Sequence, residues 1–238
     1  MADVVLAPAK LTRTLRITGV RADGYHLIDA EMVTVDLADT LTFDEGDGLE
    51  LVGAEADVPH GSDNLVSRAL AAVDRCAHVQ VIKRIPSGAG LGGGSADAAA
   101  VLRWAGVHDL ALAATLGADV PFCTIGGRAR VRGVGEEVEP LFFEALTFTL
   151  LTPAVHCSTM SVYRAWDDLG GPTGAGANDL EPAALAVAPE LARWRDALGD
   201  ATGQTPTLAG SGSTWFVEGD FPGAGRVVVR TLPASDDA

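Results

Sequence analysis

Between Leu11 and Thr18 the chain alternates: Leu11, Arg13, Leu15 and Ile17 interleave with Thr12, Thr14, Arg16 and Thr18. A period of two predicts a strand, because successive side chains leave a strand on opposite faces. MVTVDL (32–37) and LTF (41–43) continue the pattern, and VQVIKRI (79–85) adds another strand. Residues 44–63 are acidic and contain glycine, which predicts a loop with one short strand, LELV.

Elsewhere the spacing lengthens. Leu65, Ala69, Val73 and Ala77 recur every fourth residue, predicting a helix over 62–77. Ser95 has the character of an N-cap for a helix running to about Ala105 and closed by Gly106. HDLALAATLG (108–117) predicts a second short helix. RARVRG and EEVEPL follow as short strands, with Gly126-Gly127 as a turn. ALTFTLL (145–151) opens a second section. It continues through amphipathic STMSVYRAWDDL, flexible GGPTGAGAND and helical PELARWRDALG, and ends in two strands, TLAGSGSTWFVEG and RVVVRT. Strands and helices mix without a regular β-α-β period, so the fold class is α+β.

Composition narrows the partners. The formal net charge is −15 over 238 residues, with a pI near 4.5. Nucleic acids and anionic membranes need clustered positive charge, so neither is expected as a partner. MADVVLAPAK carries an early acid and only a short apolar run, unlike a signal peptide, and no apolar stretch is long enough to span a bilayer. Cys76, Cys123 and Cys157 are scattered, which suits small buried residues in a reducing compartment. A cytoplasmic protein, monomeric or homodimeric, is the expectation. The chain has fifteen arginines but only two lysines, Lys10 and Lys83. Where lysine survives in such a chain, a compact ammonium has a use that guanidinium cannot serve.

The densest chemistry lies in PSGAGLGGGSADA (86–98), which holds Gly88, Gly90, Gly92, Gly93 and Gly94. Glycine costs backbone entropy on folding, so a cluster at the mouth of a helix needs a reason. Strand, glycine turn and helix start together bring backbone N–H groups and the positive end of a helix dipole to an anion. A phosphate cradle of this kind needs little side-chain charge, which suits an acidic chain. No G-K-[ST] follows, so the stretch is not a mononucleotide P-loop. Gly88, Gly90 and Gly93 fit the dinucleotide pattern G-x-G-x-x-G, with Asp109 about 20 residues on, leaving an NAD-dependent oxidoreductase as one alternative. The H-R-D and D-F-G signatures of protein kinases are absent.

Residues 86–98 resemble the phosphate loop of the GHMP kinase family. PAKL (8–11), RADGYH (21–26), DNLV (63–66), LGADVPF (116–122), GVGEEVEPL (133–141), NDLEP (178–182) and AGSGST (209–214) extend the resemblance over nearly the whole chain, in the order that family shows them. The resemblance implies an N-terminal ATP-binding domain over 1–143, like domain 2 of ribosomal protein S5. It implies a shortened ferredoxin-like C-terminal domain over 144–238. It also implies ATP with Mg2+ and a small-molecule alcohol as phosphoryl acceptor. RADGYH points to the branch acting on the 2-hydroxyl of a cytidine diphosphate-linked methylerythritol; homoserine or mevalonate is the alternative within the family.

The resemblance also assigns roles. Lys10 and Asp119 fall at the catalytic pair: a carboxylate to accept the hydroxyl proton and an ammonium to stabilise the transferring group. Asn64, Pro86, Gly88, Gly90, Leu91, Gly92, Gly93, Gly94 and Ser95 fall on the ATP site. Asn64 equally suits a helix cap, and Ser95 a phosphate oxygen or a magnesium shell. Tyr25 and His26 fall where the family recognises cytosine, by stacking and by hydrogen bonding. Tyr163 falls at the aromatic on the base's other face, with Thr159 beside it. Two departures stand out: Thr12 replaces the usual asparagine, and FPGAG (221–225) replaces the usual helix before the last strand. A nucleotide-binding but catalytically silent regulator is the reading these departures would favour.

Overall fold

The computed structural model describes residues 2–53, 61–173 and 176–234. Its first section is a mixed six-stranded sheet. β1 (Asp3–Val20) and β2 (His26–Asp44) are far longer than their alternating stretches and pair antiparallel along most of their length. The pairing slips between Pro8 and Lys10, Thr12 and Thr14, and Ile17 and Gly19. Irregularities of this kind bend a strand and change which face a side chain takes. Leu11 therefore belongs to one core and Leu15 and Ile17 to another, while polar Lys10 and Thr12 are buried between them.

β3 (Gly48–Val52) runs parallel to β4 (His78–Ile82), which pairs with residues 40–44 of β2. β5 (Arg128–Gly133) pairs with residues 28–33 of β2 and with β6 (Glu137–Pro140). Four helices pack on this sheet: α1 (Leu65–Ala72), α2 (Gly93–Trp104), α3 (Leu110–Leu116) and α4 (Val120–Ile125). Residues 96–102 of α2 are all buried. The alanine run lets this helix lie close between the sheet and α1 and α4.

Several boundaries differ from the sequence expectation. α1 ends at Ala72 because Asp74 takes a left-handed conformation, φ 52°, and turns the chain toward β4. The N-cap of α2 is Gly92, and Ser95 lies inside the first turn. α4 carries no periodic signal, being only six residues long with Pro121 in its first turn. Asp109 caps α3 by accepting from Ala111 and Leu112, and no parallel strand follows α2, so the dinucleotide pattern has no matching architecture. Cys123 and Cys157 are buried as expected, but Cys76 is exposed.

The second section is an antiparallel sheet ordered β10-β7-β9-β8. It comprises β7 (Thr147–Leu151), β8 (Thr207–Leu208), β9 (Trp215–Glu218) and β10 (Arg226–Arg230). With it pack α5 (Thr159–Asp168), α6 (Glu181–Val187) and α7 (Leu191–Thr202). Short α6, with Pro182 in its first turn and Pro189 just past its end, carries no periodic signal, and Ala183 and Ala184 bury it in the second core. The expected loop over 44–63 and the flexible stretch over 170–179 fall partly on residues 54–60 and 174–175, outside the described residues. Residues 177–179 are tied to β1: Leu15 donates to the carbonyl of Ala177, and Asp179 N–H donates back to Leu15.

The two sections share their cores. Phe148, Leu150, Phe216 and Val229 of the second sheet bury against the first, and Leu15 and Ile17 of β1 bury in the second. β1 and the residues after β4 thereby line a cavity of about 520 Å3.

Candidate active site

The cavity takes its floor from the glycine cluster. Gly92 starts α2 in a left-handed conformation, φ 69°, and a β-carbon there would lie 2.8 Å from Lys10 Cγ. Gly90, at φ 76°, brings the loop against the carbonyl of Ala209, 2.1 Å from where its β-carbon would be. Only glycine allows both approaches. The helical pattern leaves the N–H groups of Gly93, Gly94 and Ser95 without intrahelical partners, and no side chain caps them. Gly93, Gly94 and Ser95 line the cavity. Donors and dipole there favour an anion.

Lys10 enters from β1, directly after the slip at Pro8. Its N–H donates to the carbonyl of Leu91 at 3.1 Å, fixing strand against loop. Its buried ammonium lies 3.1 Å from Thr12 Oγ1 and 3.2 Å from Asp119 Oδ2. Asp119 holds the N-cap position of α4, yet its side chain caps nothing. Proline at position 121 has no N–H to offer an N-cap side chain, so one competing donor is removed and the carboxylate turns to Lys10. A buried ammonium and a part-exposed carboxylate thus face the mouth of an anion cradle. That arrangement can deprotonate a hydroxyl and steer it at a phosphoryl group.

Residues 64–127 match the family model described as the GHMP kinases N terminal domain. A 4-diphosphocytidyl-2-C-methyl-D-erythritol kinase from Ruegeria pomeroyi is 39% identical, covering 95% of this chain and 91% of the relative. One from Granulibacter bethesdensis is 36% identical over 98% and 90%. The chain belongs to the GHMP kinase family. Among solved structures, a 4-(cytidine 5'-diphospho)-2C-methyl-D-erythritol kinase superposes with a TM-score of 0.78 at 33% identity, covering 97% of this kinase and 99% of that chain. This kinase is therefore an ATP-dependent small-molecule phosphotransferase with the α+β fold of its family.

The remaining candidate residues divide. Pro86, Gly88, Asn64 and Thr12 line the cavity with the residues above. Asn64 also caps α1, accepting from Val66 N–H at 2.8 Å, so its helix-cap reading holds while the residue still borders the cavity. Leu91 does not line the cavity: its side chain is core, and it contributes only its carbonyl to Lys10. His26, Thr159 and Tyr163 line the same cavity. Thr159 Oγ1 and Ser211 Oγ are 3.0 Å apart, joining α5 to the AGSGST turn at the rim. Burial, and secondarily Asp119, raise the Tyr163 phenol far above the ordinary tyrosine value, so it stays a neutral hydroxyl.

Tyr25 is not brought to the site. It is 62% exposed, does not line the cavity, and its ring lies under the Arg21 guanidinium at 5.5 Å. The turn at Gly24 sends it outward, while His26 starts β2 and points inward.

Sequence reading passed over the second lysine's surroundings. Lys83 is bonded to both Asp39 and Asp97, the latter at 2.6 Å. Asp39 also accepts from the N–H groups of Arg84 and Ile85, anchoring the strand exit into the glycine loop. Burial pushes Asp97 up to about 7 against the pull of Lys83. The two carboxylates outweigh burial at Lys83 and raise its ammonium. The scarcity of lysine was the only signal for this cluster.

Proposed function

We propose that this kinase transfers the γ-phosphoryl group of ATP to the 2-hydroxyl of 4-diphosphocytidyl-2-C-methyl-D-erythritol, a step of isoprenoid precursor biosynthesis by the non-mevalonate route. The observation that carries the reading is the Lys10–Asp119 couple, 3.2 Å apart beside the glycine cradle. Asp119 accepts the hydroxyl proton as the new phosphorus–oxygen bond forms. The bond from the γ-phosphorus to the bridging oxygen breaks, and ADP leaves. Lys10, oriented by Thr12, stabilises charge on the transferring group. The N–H groups of residues 93–95 hold the phosphates, and Asn64 lies on the nucleotide side. His26 and Tyr163 receive the cytosine. Tyr25 would have to leave Arg21 to join them, so base recognition rests on the other two.

Magnesium fits this site as a companion of ATP. No cluster of three or more acidic, histidine or cysteine ligands exists among the described residues, whereas Mg2+ is commonly held by substrate phosphates and one or two protein oxygens. The Ser95 hydroxyl, on the first turn of α2, would touch it. The ion would supply charge neutralisation for the phosphates.

The test is ADP release with 4-diphosphocytidyl-2-C-methyl-D-erythritol, homoserine and mevalonate in parallel, with 31P NMR of the products. Turnover with the first and a new phosphomonoester resonance is expected. Turnover only with another alcohol would replace the substrate, and ATP binding without transfer to any alcohol would make the chain a silent regulator.

A further inference from the structure

One turn of α5 closes on the ring of His26. Tyr163, Trp166 and Asp167 occupy positions i, i+3 and i+4, so they share one helix face. The Tyr163 ring lies 4.7 Å from the imidazole centroid to centroid, and Trp166 meets it edge-on at 5.4 Å. Asp167 Oδ1 lies 2.8 Å from His26 Nε2. The imidazole side chain is 9% exposed, while the aspartate is half exposed. The two aromatic rings restrict its tilt, and the aspartate holds one of its nitrogens.

An ionised carboxylate only accepts hydrogen bonds, so Nε2 must carry the proton. In the neutral ring Nδ1 then keeps a lone pair and acts only as an acceptor. We propose that Asp167 is a specificity-setting residue: by fixing His26 with Nδ1 as acceptor, it makes the cavity select a base bearing an exocyclic amine. Cytosine offers a 4-amino donor there, whereas uracil presents a 4-oxo acceptor that would meet the lone pair unfavourably. Without the carboxylate the ring can adopt the other tautomer and tolerate uracil. Asp167 acts through His26 and does not itself touch substrate. The inference rests on the cytidine reading of the cavity.

The experiment has two arms on the full chain. Long-range 15N NMR of the His26 ring is recorded at pH 8 for wild type, Asp167→Ala and Asp167→Glu. Steady-state kinetics compare the cytidine substrate with its uridine counterpart. Wild type should show a protonated Nε2 and a lone pair on Nδ1, and Asp167→Ala a mixture of tautomers. The cytidine-to-uridine ratio of kcat/KM should fall about tenfold or more in Asp167→Ala. The loss should lie in the KM for the cytidine substrate, with the KM for ATP unchanged, and Asp167→Glu should restore part of it. An unchanged tautomer, or an unchanged ratio in an Asp167→Ala protein that still turns over, would overturn the assignment. Failure of wild type to phosphorylate the cytidine substrate would instead remove the functional reading, and the NMR arm would still report on Asp167.

Discussion

Lys10 and Asp119 meet at 3.2 Å, although one follows a slip in β1 and the other heads α4, more than a hundred residues later in the chain. Neither local segment requires the other. The pair exists because the glycine loop leaves room for the lysine stem: a β-carbon at Gly92 would lie 2.8 Å from Lys10 Cγ.

Asp119→Asn keeps shape and removes the proton acceptor. Its kcat should fall on the order of a hundredfold or more, the usual size of a general-base contribution. ATP affinity, measured by calorimetry, should be retained. Wild-type turnover in this variant would take Asp119 out of the mechanism.

Lys10→Arg keeps the charge and changes its shape. The lysine stem runs past Gly92, and Gly210 lies so that a β-carbon would come 3.4 Å from Nζ. A planar guanidinium does not fit that channel in the same pose. A loss in kcat of about 100-fold is expected, comparable to removing a preorganised electrostatic donor. Full activity would mean that positive charge alone suffices.

Gly92→Ala should cost about 1–3 kcal/mol of stability, the usual range for a non-glycine residue forced into a strained backbone region. Its β-carbon would also collide with Lys10 Cγ, so kcat should drop along with the urea midpoint. A variant matching wild type in both would show that the loop relaxes without consequence.

Asp97→Asn should flatten the pH dependence of stability. Burial pushes this carboxyl from 3.8 up to about 7. A carboxyl raised on folding stabilises the native state fully below its unfolded value and loses that contribution as pH rises through the folded one. Between about pH 4 and pH 7 this residue therefore makes wild type progressively less stable, and the asparagine variant lacks that slope. Urea midpoints at pH 5 and pH 8 measure it; an equal gap in both proteins would contradict the assignment.

Much of this was legible in order and kind. The alternation around Leu15, the four-residue steps from Leu65 and the glycines of 88–94 are local signals, and a strand, a helix and a loop formed there, although α1 stops at Ala72, short of Val73 and Ala77. The signals were weakest where the element is short. α4 and α6 have six and seven residues and hold through buried contacts that no window of sequence displays. Ser95 has the chemistry of a cap, but a glycine with positive φ took that place because the loop must pass Lys10.

The sequence by itself determined most of the longer elements, the acidic charge, and a glycine turn able to present amides to an anion, because these follow from composition, side-chain period and backbone freedom over a few residues. Only the tertiary structure decided which polar groups share the cavity. It paired Lys10 with Asp119, clustered Lys83 with Asp39 and Asp97, gripped His26 with α5, and left Tyr25 outside. Those outcomes depend on strand slips and long-range packing, which set side-chain direction to within an ångström and leave no trace in local pattern.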